Sequence, residues 1–233
     1  KMSGTENLGR RLRLGMVGGG RDAFIGGVHR IAARIDDRYE LVAGALSSSP
    51  DKAKASGADL LLAADRAYGS YEEMAKAEAA RDDGIDAVAI VTPNHAHFGP
   101  AKAFLDAGIH VICDKPLTTT LEDAKALQAA VESSGLVFGL THNYTGYPLV
   151  RHAREMVAAG ELGRIRVIQA EYPQDWLSTR LEDDGVKQAE WRTDPSRSGP
   201  AGCVGDIGTH AYNLARFITG LELEEIAADL HTF

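Results

Sequence analysis

Three side chains in this sequence are suited to managing a proton beside a redox centre. Asp206 and His210 stand four apart in "GDIGTHAYN", a spacing that puts both on one face of a helix. Histidine titrates near neutral pH and can accept the proton of a substrate hydroxyl. The aspartate can orient that histidine or hold substrate. Lys115 in "ICDKP" follows an apolar run, and a lysine there can polarise a carbonyl or stabilise an alkoxide. One cation, one base and one carboxylate equip a site for hydride transfer between an alcohol and a nicotinamide, because the cofactor carries the redox step.

A dinucleotide needs a phosphate cradle, and "LGMVGGGRDAFIGG" offers one. Gly18 and Gly20 give G-x-G, and Ala23 takes the third slot of G-x-G-x-x-A. The first glycine permits a tight turn, the second a close approach to pyrophosphate, and the small third residue lets helix and strand pack. Gly26 can fill that packing role instead. The following helix start favours phosphate charge. NAD-binding folds usually read the ribose with an acid at the end of the second strand. Here the chain reads "ALSSSPDKA". Ser47 and Ser48, with Lys52 and Lys54 nearby, suit a 2′-phosphate, so the cofactor is NADP or NAD with a lean toward NADP.

The elements that must position these groups alternate strand and helix, as in a doubly wound parallel sheet. Strands are expected over 11–18, 39–47, 86–93, 110–116 and 136–143. A helix is expected from near Ile25 to Asp37. Further helices are opened by Ser49 before Pro50, by the capping box Ser70 to Glu73, and by Thr120 with Gly135 as its stop. "VTPNHAHFGPA" follows the 86–93 strand at the sheet edge where ligands bind in such folds. His95 and His97 offer two ligands where a metal site needs three or four, so no metal is expected. From about 144 the rhythm changes. "PLVRHAREMVAAGELG" reads as helix, "RIRVIQAEYP" as the first strand of another sheet, 174–202 as a long polar loop, "DIGTHAYNLARFITG" as helix and "IAADLHTF" as strand. The division is 11–143 for the nucleotide-binding domain and 144–233 for a partial substrate domain.

Composition narrows the class. The chain has 233 residues, 44% hydrophobic and 25% charged, with a net charge of -8. That balance gives no basic surface for nucleic acid, and no apolar run approaches the ~18 residues of a membrane span. "RRLR" at 10–13 reads as a polar lead into the first strand rather than an export signal, because no apolar stretch follows it. Cys113 and Cys203 set up neither a disulfide framework nor a zinc site. A cytoplasmic location is expected. His29, His110, His142, His152 and His231 are assigned no functional role.

Taken in order, "GMVGGGRDA", "VTPNHAH", "CDKP", "GELGRI", "EWRTDP" and "GDIGTHAYNLARF" resemble the Gfo/Idh/MocA family of oxidoreductases, named for glucose–fructose oxidoreductase and inositol dehydrogenase. The resemblance implies a dinucleotide-binding domain followed by an α/β domain with an open, mainly antiparallel sheet that often forms a dimer face. It makes Lys115 the catalytic lysine and Asp206 with His210 the D-x-x-x-H pair. It places Thr92, Pro93, Asn94 and His97 along the cofactor ribose, Trp191 and Arg192 near the nicotinamide, and Asn143 beside the cofactor where the chain crosses between domains. Asp114 stands where the family has glutamate, keeping the charge but shortening the reach to the ribose. "SGPAGCVGD" interrupts the usual glycine run. Family members commonly continue for about a hundred residues more, a further domain's worth of chain, so a shortened chain with an incomplete second sheet is expected. The activity implied is hydride transfer between nicotinamide and a secondary alcohol or ketone of a sugar or cyclic polyol. A non-catalytic dinucleotide-binding regulator and a reductase of a non-sugar substrate are the alternatives.

Overall fold

In the computed structural model, which describes residues 9–231, strands β1 (Leu12–Gly18), β2 (Tyr39–Ala45), β3 (Ala87–Val91), β4 (His110–Asp114) and β5 (Phe138–Thr141) form one sheet in the order β2-β1-β3-β4-β5. Every neighbouring pair is parallel. Parallel pairing requires a crossover between strands, and the sequence supplies helices α1 (Phe24–Ile35), α2 (Pro50–Asp59), α3 (Tyr71–Ala79), α4 (Phe98–Asp106) and α5 (Leu121–Ser134). Strand order reverses between β1 and β3, so their C-terminal ends open a crevice.

β3 shows why the sheet is covered on both faces. All of "AVAIV" is buried. Alternate residues of a strand point to opposite faces. Val88 and Ile90 accordingly join a core with Met74 of α3, Phe104 of α4 and Leu127 of α5. Ala87, Ala89 and Val91 join Leu14 and Met16 in a second core, against which Ile25 and Ala33 of α1 pack. In the last turn of α3 a buried carboxylate closes the layer. Glu78 accepts from Arg66 Nε (3.0 Å), Tyr68 Oη (2.8 Å) and the backbone N–H of Ile85 (3.1 Å), with a second, short bond from Arg66 Nη2.

The expected caps are partly realised. Ser70 Oγ accepts from the N–H of Glu73 at 3.2 Å, and Thr120 Oγ1 from that of Asp123 at 3.1 Å. Gly135 ends α5 with φ +66°, a conformation that costs glycine little. Ser49 precedes α2 but its side chain makes no capping bond. Instead its own N–H donates to Ser47 Oγ at 3.2 Å.

The chain divides into two compact units. One runs to Thr141 and regains Leu181–Gly202; the other holds His142–Arg180 and the residues from Cys203 onward. The first crossing lies close to the expected boundary at 143. The return of 181–202 is absent from a two-block division of the sequence, and it turns part of the expected loop into helices α7 (Lys187–Arg192) and α8 (Pro195–Ser198). The second unit is built on α6 (Pro148–Ala158) and α9 (Thr209–Thr219), the latter entered through a π-helical turn at Val204–Gly208. Its two expected strands are not formed. Residues 164–173 and 226–231 carry no ladder, and 232–233 lie outside the described residues. A strand exists through its pairing, and among the described residues neither segment finds a partner strand. No helix among the described residues is long and apolar enough to cross a membrane.

Candidate nucleotide cleft and proton-transfer residues

The crevice is a cleft of about 530 Å³ within the first unit, lined by Gly18, Gly19, Gly20, Ala23, Ser47, Ser48, Thr92, Pro93 and Trp191 among others. Its floor is backbone. Gly18 and Gly19 adopt φ +79° and +72°, the left-handed region glycine occupies readily. A Cβ on Gly20 would stand 2.6 Å from Leu46 O and from Ser56 Oγ, so the loop is held against the end of β2. The Gly20 N–H confirms this by donating to Leu46 O at 3.1 Å. On Gly26 a Cβ would lie 2.4 Å from Gly19 Cα. Close helix-to-loop packing therefore falls to Gly26, while Ala23 lines the cleft.

α1 begins without a side-chain cap and without an acid in its first turn. Its leading N–H groups and the dipole behind them suit an anion. Arg30 was not singled out by any motif, yet it fixes this loop: its Nη1 donates to Gly19 O at 2.7 Å. Burial lowers its pKa, with Arg34 adding to the effect.

The loop after β3 divides its residues by role. Thr92, Pro93, His95 and Ala96 line the cleft. Asn94 and His97 are buried and stand outside that lining. Asn94 Nδ2 donates to Ser198 O at 2.9 Å. His97 sits between Pro116 O (2.7 Å from Nδ1) and Thr92 O (2.9 Å from Nε2). Burial pushes its pKa down, which favours the neutral ring that donates to only one of them. Both residues thus lock the loop rather than face the cleft.

The return segment closes one side of the cleft through Lys187, Gln188, Trp191 and Arg197. Trp191 is buried, and the Arg192 guanidinium lies over its ring, 4.1 Å from the centroid. Arg192 Nη1 also donates to Gln188 Oε1 at 2.7 Å. At the end of β4, Asp114 pairs with His29 Nε2 of α1 at 2.9 Å, a partner the sequence did not suggest. Lys115 follows immediately, joined to Pro116 by a cis peptide bond.

In the second unit, Asn143 opens a short 3₁₀ turn. Asp206 lies in the π-helical turn and His210 in the first turn of α9. The extra backbone residue of a π turn is a frequent accompaniment of functional positions. His210 is buried among rings. Tyr144 meets it edge-on at 4.6 Å and His142 at 5.7 Å between centroids. The Tyr144 hydroxyl bonds to that of Tyr172, which together with burial pushes Tyr144 up to about 12. These tyrosines carry no motif; they emerge only from the fold.

The chain matches known proteins over most of its length. A family model described as an oxidoreductase family with an NAD-binding Rossmann fold matches residues 12–142, and one for the Gfo/Idh/MocA C-terminal domain matches residues 150–233. A levoglucosan dehydrogenase of Pseudarthrobacter phenanthrenivorans is 34% identical across 96% of this chain and 55% of its own length. The crystal structure of an oxidoreductase from Sinorhizobium meliloti is 58% identical with a TM-score of 0.83, over 96% of this chain and 56% of that one. An inositol dehydrogenase homolog from Azotobacter vinelandii, complexed with NAD+, is 39% identical with a TM-score of 0.87, over 91% and 54%. The chain spans little more than half the length of these relatives.

Proposed function

Because the chain belongs to the Gfo/Idh/MocA family of oxidoreductases, we propose that it serves an NAD(P)-dependent enzyme acting on a secondary alcohol or ketone of a sugar or cyclic polyol. The observation that carries the reading is the cleft itself: a glycine-floored crevice at the switch point of a parallel sheet, with an uncapped helix start beside it. Such a floor admits a pyrophosphate and no side chain fills it. A bound nicotinamide dinucleotide would supply the hydride chemistry. The glycine loop would hold its phosphates, Ser47 and Ser48 its adenosine ribose, and Thr92, Pro93 and Trp191 the opposite wall. Asn94, His97 and Arg30 keep those walls in place. The serines at the end of β2, where an acid would select NAD, give only a slight lean toward NADP.

The remaining residues manage the substrate. His210 exchanges the hydroxyl proton, Lys115 polarises the substrate oxygen, and Asp206 anchors substrate or orients the histidine. The sugar and polyol assignment is supported by relatives named as a levoglucosan dehydrogenase and an inositol dehydrogenase homolog. The enzyme is proposed to be a cytoplasmic homo-oligomer with a small-molecule substrate, acting on neither nucleic acid nor membrane.

Titration with NADPH and NADH, followed by nicotinamide fluorescence, tests the cofactor half of the reading. Micromolar binding is expected. Failure of both to bind the folded protein would overturn it. A panel of sugars and inositols with NAD+ and NADP+ then tests the substrate half, and His210→Ala is expected to lower turnover by about 10²–10⁴-fold, the usual contribution of a positioned acid–base group.

A further inference from the structure

Arg21 occupies the fourth place of "GGGRDA" and no glycine-loop motif requires a cation there. It lines the cleft together with Ser47 and Ser48. The backbone explains the proximity. Gly20 N–H donates to Leu46 O, which sets the next residue of each segment side by side, and Arg21 N–H donates to Ser56 Oγ of α2 at 3.1 Å. Its guanidinium then makes a bidentate pair with Asp59 at the end of α2, Nε to Oδ2 at 2.5 Å and Nη2 to Oδ1 at 2.9 Å. Arg21 in this way stands at the 2′ end of any adenosine that enters beside the two serines, already carrying a counter-ion.

We propose that Arg21 reads the 2′ position of the cofactor ribose and that Asp59 offsets its charge, so that the cleft discriminates only weakly between NADP(H) and NAD(H). The inference rests on the dinucleotide reading above. Its physical basis is charge accounting. Asp59 occupies the Nε–Nη2 edge of the guanidinium and leaves the Nη1 donors for a phosphate oxygen. A 2′-phosphate gains a charge-assisted hydrogen bond there but meets a carboxylate on the far side of the same group. A 2′-hydroxyl loses nothing by that carboxylate, because the serines serve it. Lys52 and Lys54, the cations nearest in sequence, sit on exposed positions of α2 outside the cleft lining. Lys187 and Arg197 do line it, but from the return segment. The pair is half-exposed, so removing it costs the fold little.

The test is a double-mutant cycle read in the ratio of Kd for NADH to Kd for NADPH, measured by fluorescence on the wild-type chain, Arg21→Ala, Asp59→Asn and the double variant. The wild-type ratio is expected within about tenfold of unity. Asp59→Asn should raise it by about fivefold, because one charged contact gains what its counter-ion had taken. Arg21→Ala should lower it by about as much, and the double variant should match Arg21→Ala, showing that Asp59 acts through Arg21. A ratio unchanged in every variant that still binds both nucleotides overturns the inference and leaves the dinucleotide reading standing. A fall in the ratio on Asp59→Asn overturns the offset, making the carboxylate an orienting group instead. If the folded wild-type chain binds neither nucleotide, the dinucleotide reading fails and the inference goes with it. Should Arg21→Ala not fold, Asp59→Asn keeps the test decisive, since it removes a charge and leaves every backbone contact of the loop.

Discussion

The two units of this chain are stabilised by different means. The first buries two apolar layers on a five-stranded parallel sheet. In the second, the one buried residue among those described is His210, held by tyrosine and histidine rings. Its apolar residues are largely exposed, as with Leu149 at 80% and Ile226 at 81%. The contrast teaches where sequence patterning has physical force. Strand alternation and helix caps act locally and were enough to order the first unit, whereas the second has a polar centre that no periodicity announces.

The two units respond most differently when one side chain is removed from the framework of each. Glu78→Ala takes the nearest carboxylate from the buried Arg66 guanidinium, leaving it Asp83 Oδ2 at 3.5 Å, and leaves Tyr68 Oη and Ile85 N–H without their acceptor. A loss of about 3–5 kcal/mol is expected in urea denaturation. Leu149→Ala, on the exposed side of α6, should change stability by less than about 0.5 kcal/mol. Comparable losses from the two would show that the second unit buries apolar surface after all.

A smaller effect separates two adjacent glycines. Gly26→Ala drives a methyl into Gly19 Cα and O at 2.4 and 2.7 Å, and should cost about 1–3 kcal/mol as the loop shifts. Nucleotide affinity should fall at least tenfold with it, about the effect of a 1.4 kcal/mol loss of fit. At Gly27 the same Cβ meets only Arg30 Nη2 at 3.8 Å, so Gly27→Ala should stabilise α1 by about 0.5–1 kcal/mol. Thermal melts of the two variants moving in the same direction would remove Gly26 as the packing glycine.

That pair also marks how far the sequence could be read. The glycine loop, the caps at Ser70, Thr120 and Gly135, and the fully apolar β3 were legible because each follows from local chemistry. Gly26 was legible only as an alternative to Ala23, since choosing between them needs the distance to Gly19. The partners Asp59 and His29 were not legible, because each meets its counterpart across a crossover, and Arg30 was not, because its bond to the Gly19 carbonyl depends on how the loop folds back onto α1. Nor was the placing of Asn94 and His97. A histidine in a ligand loop and a histidine locking that loop look alike until burial and carbonyl partners distinguish them. The strands expected at 164–173 and from 226 onward are not formed over the described residues for a related reason: their residues favour extended backbone, but a ladder depends on a second strand that the local sequence does not specify.

A pH test sharpens the account of how the first unit is anchored. Asp86 accepts from Arg10 Nη1 and Nη2 at 2.7 and 2.9 Å and from the Arg13 N–H at 2.7 Å. The bond from Arg10 holds its carboxyl below the usual aspartate range, against the opposing effect of burial. A depressed folded pKa means the stabilisation is complete above the unfolded value near 3.9 and is lost as pH falls through the folded one. Asp86→Asn should therefore cost about 1 kcal/mol at pH 7, with the difference from wild type closing below about pH 4. A difference that persists at pH 2 would assign the effect to packing of the side chain, not to its charge.

The smallest expected effect lies in the polar centre of the second unit. Tyr144 is half-buried, edge-on to His210, and bonded through its hydroxyl to Tyr172. The bond to the Tyr172 hydroxyl, more than burial, pushes its pKa up to about 12. For an acid with a raised folded pKa, the stabilisation is intact below the unfolded value near 10 and fades as pH rises toward the folded one. Tyr172→Phe removes the partner, so the Tyr144 midpoint, followed by NMR of ring-labelled tyrosine, should move down toward 10. The stability lost at neutral pH should stay below about 1 kcal/mol, because one neutral hydrogen bond in a partly wet site contributes no more. A midpoint that stays near 12 in Tyr172→Phe would give burial the leading part. The centre around His210 would then be an enclosed cluster like those of the first unit, and the difference between the two units would be one of residue type rather than of bonding.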